Sequence, residues 1–176
     1  MEADITVNKI PSGRGYGWTN IFHFSNNGEG DRFPAVYIHK SGYFWISSMP
    51  ANLNKQVNFV IGQKYHLKIQ QFQSEGKTIF EVQINGKTEY SGEHGGTQIK
   101  EFDNVKVYVS GPWNPWSFTS EYGLLENFKY CQPVEGKQMT QPKICEFICI
   151  LHVPCKNSIL IIKSIIKNIL FLEVSR

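Results

Sequence analysis

The segment FPAVYIHKSGYFWISS, residues 33–48, contains two short apolar or aromatic runs on either side of Lys40-Ser41-Gly42. If the runs pair as a β-hairpin with these three residues as the loop, Gly42 can take the positive φ that closes such a loop. A two-residue loop would pair Val36 with Trp45, and a slip of one residue moves every side chain to the other face. The three-residue loop predicts the opposing pairs Val36–Ile46, Tyr37–Trp45, Ile38–Phe44 and His39–Tyr43.

This predicted register separates two kinds of side chain. The face expected in the core carries Val36, Ile38, Phe44 and Ile46. Rings that also carry a polar atom suit a partly wet surface that contacts a ligand. The face predicted to bind a ligand carries Tyr37, His39, Tyr43 and Trp45, joined by His23 if Phe22 and Phe24 point inward. The alternative is that Tyr37 and Trp45 form a cross-strand pair covered by a loop or by the second sheet.

The rest of residues 1–130 consists of further β-type runs separated by glycine and asparagine turns. Period-2 alternation is clearest in TIFEVQI, residues 78–84, which the tight-turn signal Asn85-Gly86 follows. No run before residue 155 has convincing helical periodicity. The predicted strands are 4–10, 18–25, 35–39, 43–47, 65–72, 78–86, 104–110 and 123–130. So many short strands predict an all-β, antiparallel two-sheet β-sandwich or a barrel.

Charge and cysteine divide the chain at about residue 130. Residues 1–130 carry twelve basic and twelve acidic side chains, and the net charge of +3 comes from residues 131–176. A neutral body without a basic stripe argues against nucleic acid as a partner, because phosphate binding needs clustered Lys and Arg. All four cysteines lie after residue 130, so the body is expected to fold without disulfides. We therefore predict one domain over 1–130 and a non-domain tail over 131–176.

The tail lacks the features of a folded domain. Charged residues and a proline interrupt its apolar stretches, so no uncharged apolar run reaches the ~18 residues of a membrane span. Residues 158–172 could form an amphipathic helix that contacts a membrane surface; otherwise the tail is a poorly structured segment outside the fold. Its cysteines Cys145, Cys149 and Cys155, with His152, have a spacing that is irregular for a zinc site.

Two other segments carry candidate contact residues. GPWNPW, residues 111–116, holds Trp113 and Trp116 on a loop stiffened by two prolines, either as ligand contacts or as a cover packed over the end of the sandwich. Asp31 and Arg32 precede a predicted strand, where neighbouring opposite charges more often form a structural salt bridge than a binding site.

The order of these segments resembles the concanavalin A-like lectin/glucanase superfamily, with laminin G-like domains and galectins the most similar members. The strings that carry the resemblance, all within residues 3–130, are GWTNIFHF, GDRFPAVYIH, YHLKIQ, TIFEVQINGKTEYSGEH, VKVYVSGPW and GLLENF. In the galectin pattern a strand that ends in NG is followed by a short strand. The strings also look like lectin-like modules of extracellular matrix and adhesion proteins. The resemblance implies a jelly-roll sandwich that binds carbohydrate or a matrix partner outside the cell, and a Ca²⁺ site for which Asp31, Asp103 and Asn104 could supply oxygens.

The family motifs match only in part. His23 and Trp45 match the galectin sugar-binding pattern, but its Pro-Arg pair and its Glu are missing, so classical galactoside binding is not expected. The glucanase signature E-x-D-x-x-E corresponds to EFDNVK, residues 101–106, in which Lys106 replaces the last carboxylate. Because hydrolysis needs paired carboxylates, no enzyme activity is expected.

The sequence thus predicts a non-catalytic, extracellular lectin-like module without a resident cofactor, whose partner is a glycan or a matrix protein. The second hypothesis is a structural spacer module of a larger matrix protein, with its aromatic residues internal. MEADITVNK is too polar for a signal-peptide core, so either the chain is cytosolic or its true start lies upstream; the resemblance favours the second.

Overall fold

The computed structural model describes residues 1–10, 17–25, 32–48, 53–93, 106–110, 118, 121–132, 144–148, 159–161 and 174–175. Every regular element within these ranges is a β-strand. The strands are β1 Glu2–Val7, β2 Trp18–Ser25, β3 Ala35–His39, β4 Tyr43–Ser48, β5 Leu53–Asn58, β6 Lys64–Ser74, β7 Lys77–Ile84, β8 Lys87–Glu93, β9 Lys106–Val109, β10 Gly123–Gln132, β11 Ile144–Ile148, β12 Ile159–Ile161 and β13 Val174–Ser175.

The strands form two antiparallel sheets. The first has the order β11-β10-β1-β6-β7-β8, and the second has the order β13-β12-β9-β2-β3-β4-β5. Each sheet therefore takes five strands from residues 1–132. Of the later strands, β11 extends an edge of the first sheet, and β12 and β13 extend an edge of the second. The predicted all-β, two-sheet antiparallel sandwich is confirmed.

The hairpin of β3 and β4 has the predicted register. His39 lies opposite Tyr43, and Val36 lies opposite Ile46. Lys40-Ser41-Gly42 is the loop, and Gly42 has a φ of 84°. A side chain at this φ would meet its own backbone, so the glycine permits the three-residue loop that sorts the hairpin's two faces.

The core lies between the sheets, where the inward residues of both contribute to one cluster. Phe22 and Phe24 of β2 meet Phe128 of β10 at ring-centroid distances of 5.5 and 6.0 Å. All three side chains are fully buried. Burying each large apolar side chain stabilises the fold by about 1.5–3 kcal/mol, so this group holds the two sheets together.

An extra residue in β10 lets two of its side chains reach the core. Glu2 pairs with Lys129 and Asp4 with Glu126, so β10 has one more residue than β1 at this point. Asn127 accommodates the bulge with a φ of 51° and donates a hydrogen bond from Nδ2 to Asp4 Oδ2, 2.7 Å away. Without the bulge, strict alternation would place residues 125 and 128 on opposite faces, yet Leu125 and Phe128 are both buried.

Several predicted strand limits need correction. β1 covers residues 2–7 rather than 4–10, and the predicted strand over 78–86 ends at Ile84 because Asn85 and Gly86 form the turn. β5 was not predicted. Its sequence is LNKQVN, and it lies at an edge of the second sheet. Because most of its described side chains are exposed, it lacks the apolar pattern that marks an inner strand.

The structure describes only parts of the tail. Residues Ile159–Ile161 form β12, which pairs with β9, so these three residues are not helical. Pairing with an open sheet edge satisfies their backbone groups in place of helical hydrogen bonds. Residues 162–172 lie outside the described ranges.

Candidate functional site

The outward face of β2–β5 carries the candidate site. The hairpin register sends Val36, Ile38, Phe44 and Ile46 into the core, as predicted, and turns the other four hairpin side chains outward. Tyr37 and Trp45 lie opposite each other with ring centroids 5.3 Å apart. His39 and Tyr43 form the next pair, with stacked rings 4.7 Å apart. The outward side of the hairpin thus carries four rings in two cross-strand pairs, which we call the hairpin ladder.

Trp18 is the central ring of this surface and was missed by the sequence analysis. Its ring centroid lies 4.3 Å from that of His39, 4.9 Å from that of Trp45 and 5.9 Å from that of Tyr43. These four rings are all partly exposed. We call Trp18, His39, Tyr43 and Trp45 the aromatic surface.

A bulge in β2 explains why Trp18 was missed. With Phe22 and Phe24 facing the core, simple alternation would send Trp18 into the core as well. However, Asn20 pairs with Tyr37 and Phe22 pairs with Val36, which leaves Ile21 as an extra residue. Asn20 stabilises this bulge by donating from Nδ2 to the carbonyl oxygens of Phe22, at 3.1 Å, and Val36, at 3.3 Å. The change of alternation turns Trp18 outward.

Two predicted contact residues are buried. Tyr37 is 5% exposed and His23 is 1% exposed, so the open surface expected at these two positions is not found. The Tyr37 hydroxyl and His23 Nδ1 lie 3.3 Å apart. At this depth both polar atoms need internal partners, and neither side chain is open to a ligand.

His39 has a defined hydrogen-bonding state. Its Nδ1 accepts a hydrogen bond from the backbone N–H of Ser41 at 3.2 Å, which leaves Nε2–H as the donor of the neutral ring. Burial lowers the pKa of His39, and the neighbouring charge of Lys40 lowers this pKa further. At neutral pH the aromatic surface therefore presents a neutral imidazole.

Side-chain amides lie beside the rings. On β5, Gln56 lies opposite Trp45 and Asn58 lies opposite Tyr43. Asn54 lies opposite Ser47, whose hydroxyl donates to Asn54 Oδ1 at 3.2 Å. All three amide residues are exposed. We call Asn54, Gln56 and Asn58 the amide row; it supplies neutral donors and acceptors along the edge of the aromatic surface.

Arg32 reaches the same surface from the segment before β3. Its guanidinium carbon lies 5.1 Å from the Trp45 ring centroid, a cation–π distance. Its Nε atom is buried and has no hydrogen-bond partner. The salt bridge predicted between Asp31 and Arg32 cannot be placed, because Asp31 lies outside the described residues.

The two sheets differ in charge. Strands β2, β3, β4, β5 and β9 contain no Asp or Glu, and their charged residues are Lys55 and Lys106. Within residues 1–132 the other sheet carries the acidic residues Glu2, Asp4, Glu81, Glu89, Glu93 and Glu126, several of them in ion pairs with neighbouring lysines. Ion pairs lie along this sheet, whereas the outward face of β2–β5 presents rings and amides.

The remaining predicted site residues cannot be placed. Trp113 and Trp116 lie outside the described residues, and so do Asp31, Asp103 and Asn104 of the suggested Ca²⁺ site and Glu101 of the glucanase-like string. Among the residues that are described, no group of three or more His, Cys, Asp or Glu side chains is arranged to bind a metal ion.

Comparison with known proteins adds no relative. The chain has no significant match among protein-family models, curated proteins or solved structures. Because no relative is found, the resemblance to concanavalin A-like modules stays a prediction.

Within the described ranges no helix has the length and apolar character needed to cross a bilayer.

Proposed function

We propose that this chain is a non-catalytic carbohydrate-binding module of the concanavalin A-like kind, which works outside the cell and binds glycan through the aromatic surface and the amide row. The observation that carries the proposal is the placement of partly exposed rings and exposed amides on one face of a sheet whose body strands contain no Asp or Glu. The apolar C–H face of a sugar ring packs on Trp or Tyr, and its hydroxyl groups need neutral donors and acceptors beside that ring.

The site residues divide between two roles under this proposal. Trp18, Tyr43 and Trp45 contact the sugar ring, and His39 Nε2–H donates to a hydroxyl. Gln56 and Asn58 bind hydroxyls at the edge of the same sugar. Tyr37 and His23 hold the surface in place from beneath, and Trp113 and Trp116 remain proposed contacts from the loop over 111–116.

A glycan array probed with the full 176-residue chain tests the proposal. We expect binding to a restricted set of glycans, and a loss of about tenfold or more in affinity when Trp45→Ala removes a stacking ring. Gln56→Ala is expected to weaken the same binding, because it deletes a donor and an acceptor beside Trp45. Gln83→Ala, the same change on the outer face of the other sheet, is the matched control and should leave binding unchanged. Failure of the wild-type chain to bind any glycan would refute the proposal.

A structural spacer is the second candidate, and the burial of Tyr37 and His23 favours it. If the rings serve only to stabilise the sheet, the chain binds no glycan, while Trp45→Ala still lowers the free energy of unfolding. Measuring both quantities on the same variant separates the two functions.

A further inference from the structure

Arg32 suggests which class of glycan the surface binds. The guanidinium lies over Trp45, and no described carboxylate lies within ion-pair distance of it. A guanidinium has five N–H donors in a planar fork that fits a carboxylate with two parallel hydrogen bonds. Its Nε is buried, so a ligand at the edge of the aromatic surface would meet the Nη groups of Arg32.

The charge of the surrounding sheet leads to the same conclusion. Acidic side chains are absent from the described strands of this sheet, so nothing on them competes for Arg32 or repels an anion. The other sheet, by contrast, carries acidic side chains beside its lysines, among them Glu81.

We propose that Arg32 and Trp45 form a subsite for a sugar carboxylate, so that the ligand is an acidic oligosaccharide carrying a sialic or uronic acid. This inference rests on the proposed function. The guanidinium stays over Trp45 and binds the carboxylate bidentately, while the rest of the sugar packs on Trp18, on Tyr43 and on the part of the Trp45 ring that stays exposed. Arginine is suited to this double role because its flat cation stacks on an aromatic ring while its edge donates hydrogen bonds.

The test compares glycans that differ only in the acidic group. Isothermal titration calorimetry on the full chain compares the affinity for 3′-sialyllactose with that for lactose, and the affinity for tri-galacturonic acid with that for galactotriose. Matched acidic and neutral glycans on the array cover other sugar backbones. We expect the acidic member of the bound pair to bind about tenfold or more tightly, and this preference to fall as salt screens the charge. Arg32→Gln should abolish the preference, and the binding of the neutral glycan that this variant retains shows that it is folded.

Two further variants distinguish the effect of the planar guanidinium from the effect of its positive charge. Arg32→Lys keeps the charge but not the planar fork, so it should retain only part of the preference. Lys106→Gln removes a positive charge from β9 of the same sheet and should retain all of it. Equal binding of acidic and neutral glycans, or a preference that survives Arg32→Gln, would overturn the inference and leave the proposed function intact. Equal binding of lactose 3′-sulfate and 3′-sialyllactose would overturn the assignment to a carboxylate, and no glycan binding at all would overturn both proposals.

Discussion

Trp18 and His39 lie opposite each other in the β2–β3 pair, with ring centroids 4.3 Å apart. Without the β2 bulge, Trp18 would face the core with Phe22 and Phe24. The bulge turns Trp18 to the outward face, where His39 lies. Their contact joins the β3–β4 hairpin ladder to β2, so that the aromatic surface spans three strands.

Removing the Trp18 ring should weaken glycan binding. Trp18→Ala deletes the ring at the centre of the aromatic surface, and we expect about a tenfold loss of affinity for the glycan that the wild-type chain binds. Trp18→Phe keeps a smaller ring and should lose less. Titration of both variants measures this, and Trp18→Ala binding as tightly as wild type would show that the ring does not contact the ligand.

The titration of His39 should reflect its burial and the charge of Lys40. NMR is expected to give a pKa for His39 below the ordinary histidine value, with the proton of the neutral ring on Nε2. Because the folded state disfavours the charged ring, the free energy of unfolding should fall as the pH drops from the ordinary histidine pKa to the lower folded value. Above that interval His39 contributes no pH dependence.

Two variants check this assignment. Lys40→Gln should raise the pKa of His39 by removing the neighbouring charge. His39→Gln should flatten the pH dependence of the unfolding free energy in the same interval, as measured by urea denaturation at a series of pH values. A His39 pKa at or above the ordinary value would contradict the prediction.

Phe128 should dominate the stability of the contact between the sheets. Phe128→Ala removes a fully buried ring that meets both Phe22 and Phe24, at an expected cost of about 3–5 kcal/mol in unfolding free energy. Phe128→Leu should cost less because it leaves a smaller cavity. Val60→Ala is the control: Val60 is 62% exposed, and the change should be within about 0.5 kcal/mol. Equilibrium urea denaturation measures all three, and a cost near that of the control would exclude Phe128 from the core.

Two glycines should respond differently to alanine. A Cβ at Gly42 would meet only Ile10 Cδ1, 3.9 Å away, so Gly42→Ala costs about 1–2 kcal/mol through its positive φ alone. A Cβ at Gly123 would lie 2.1 Å from the backbone oxygen of Thr6, which cannot move without separating β10 from β1. Gly123→Ala should therefore cost more, about 3 kcal/mol.

A third variant isolates the backbone effect at Gly42. Gly42→Asn should be milder than Gly42→Ala, because asparagine tolerates positive φ. Thermal unfolding monitored by circular dichroism ranks the three variants, and a Gly42→Ala variant less stable than Gly123→Ala would reverse the assignment.

Sequence periodicity predicted the parts of this fold in which alternation is regular. The β3–β4 register followed from one loop length, because the three-residue loop separates Val36 and Ile38 from Tyr37 and His39. β7 was recognised because apolar and polar residues alternate regularly along it. β5 was not, since a strand at the edge of the body has little apolar pattern to detect. Trp18 was assigned no role because a bulge interrupts the alternation of β2, and NIFHFS gives no sign of one.

Local alternation and the φ that a glycine allows are enough to predict the all-β class, the hairpin register and the pairing of Tyr37 with Trp45 from the sequence. The burial of His23 and Tyr37, the place of Trp18 in the aromatic surface and the position of Arg32 over Trp45 became visible in the folded chain alone. Burial and contacts between strands depend on how distant segments pack, and a bulge of one residue reverses the face of every side chain beyond it.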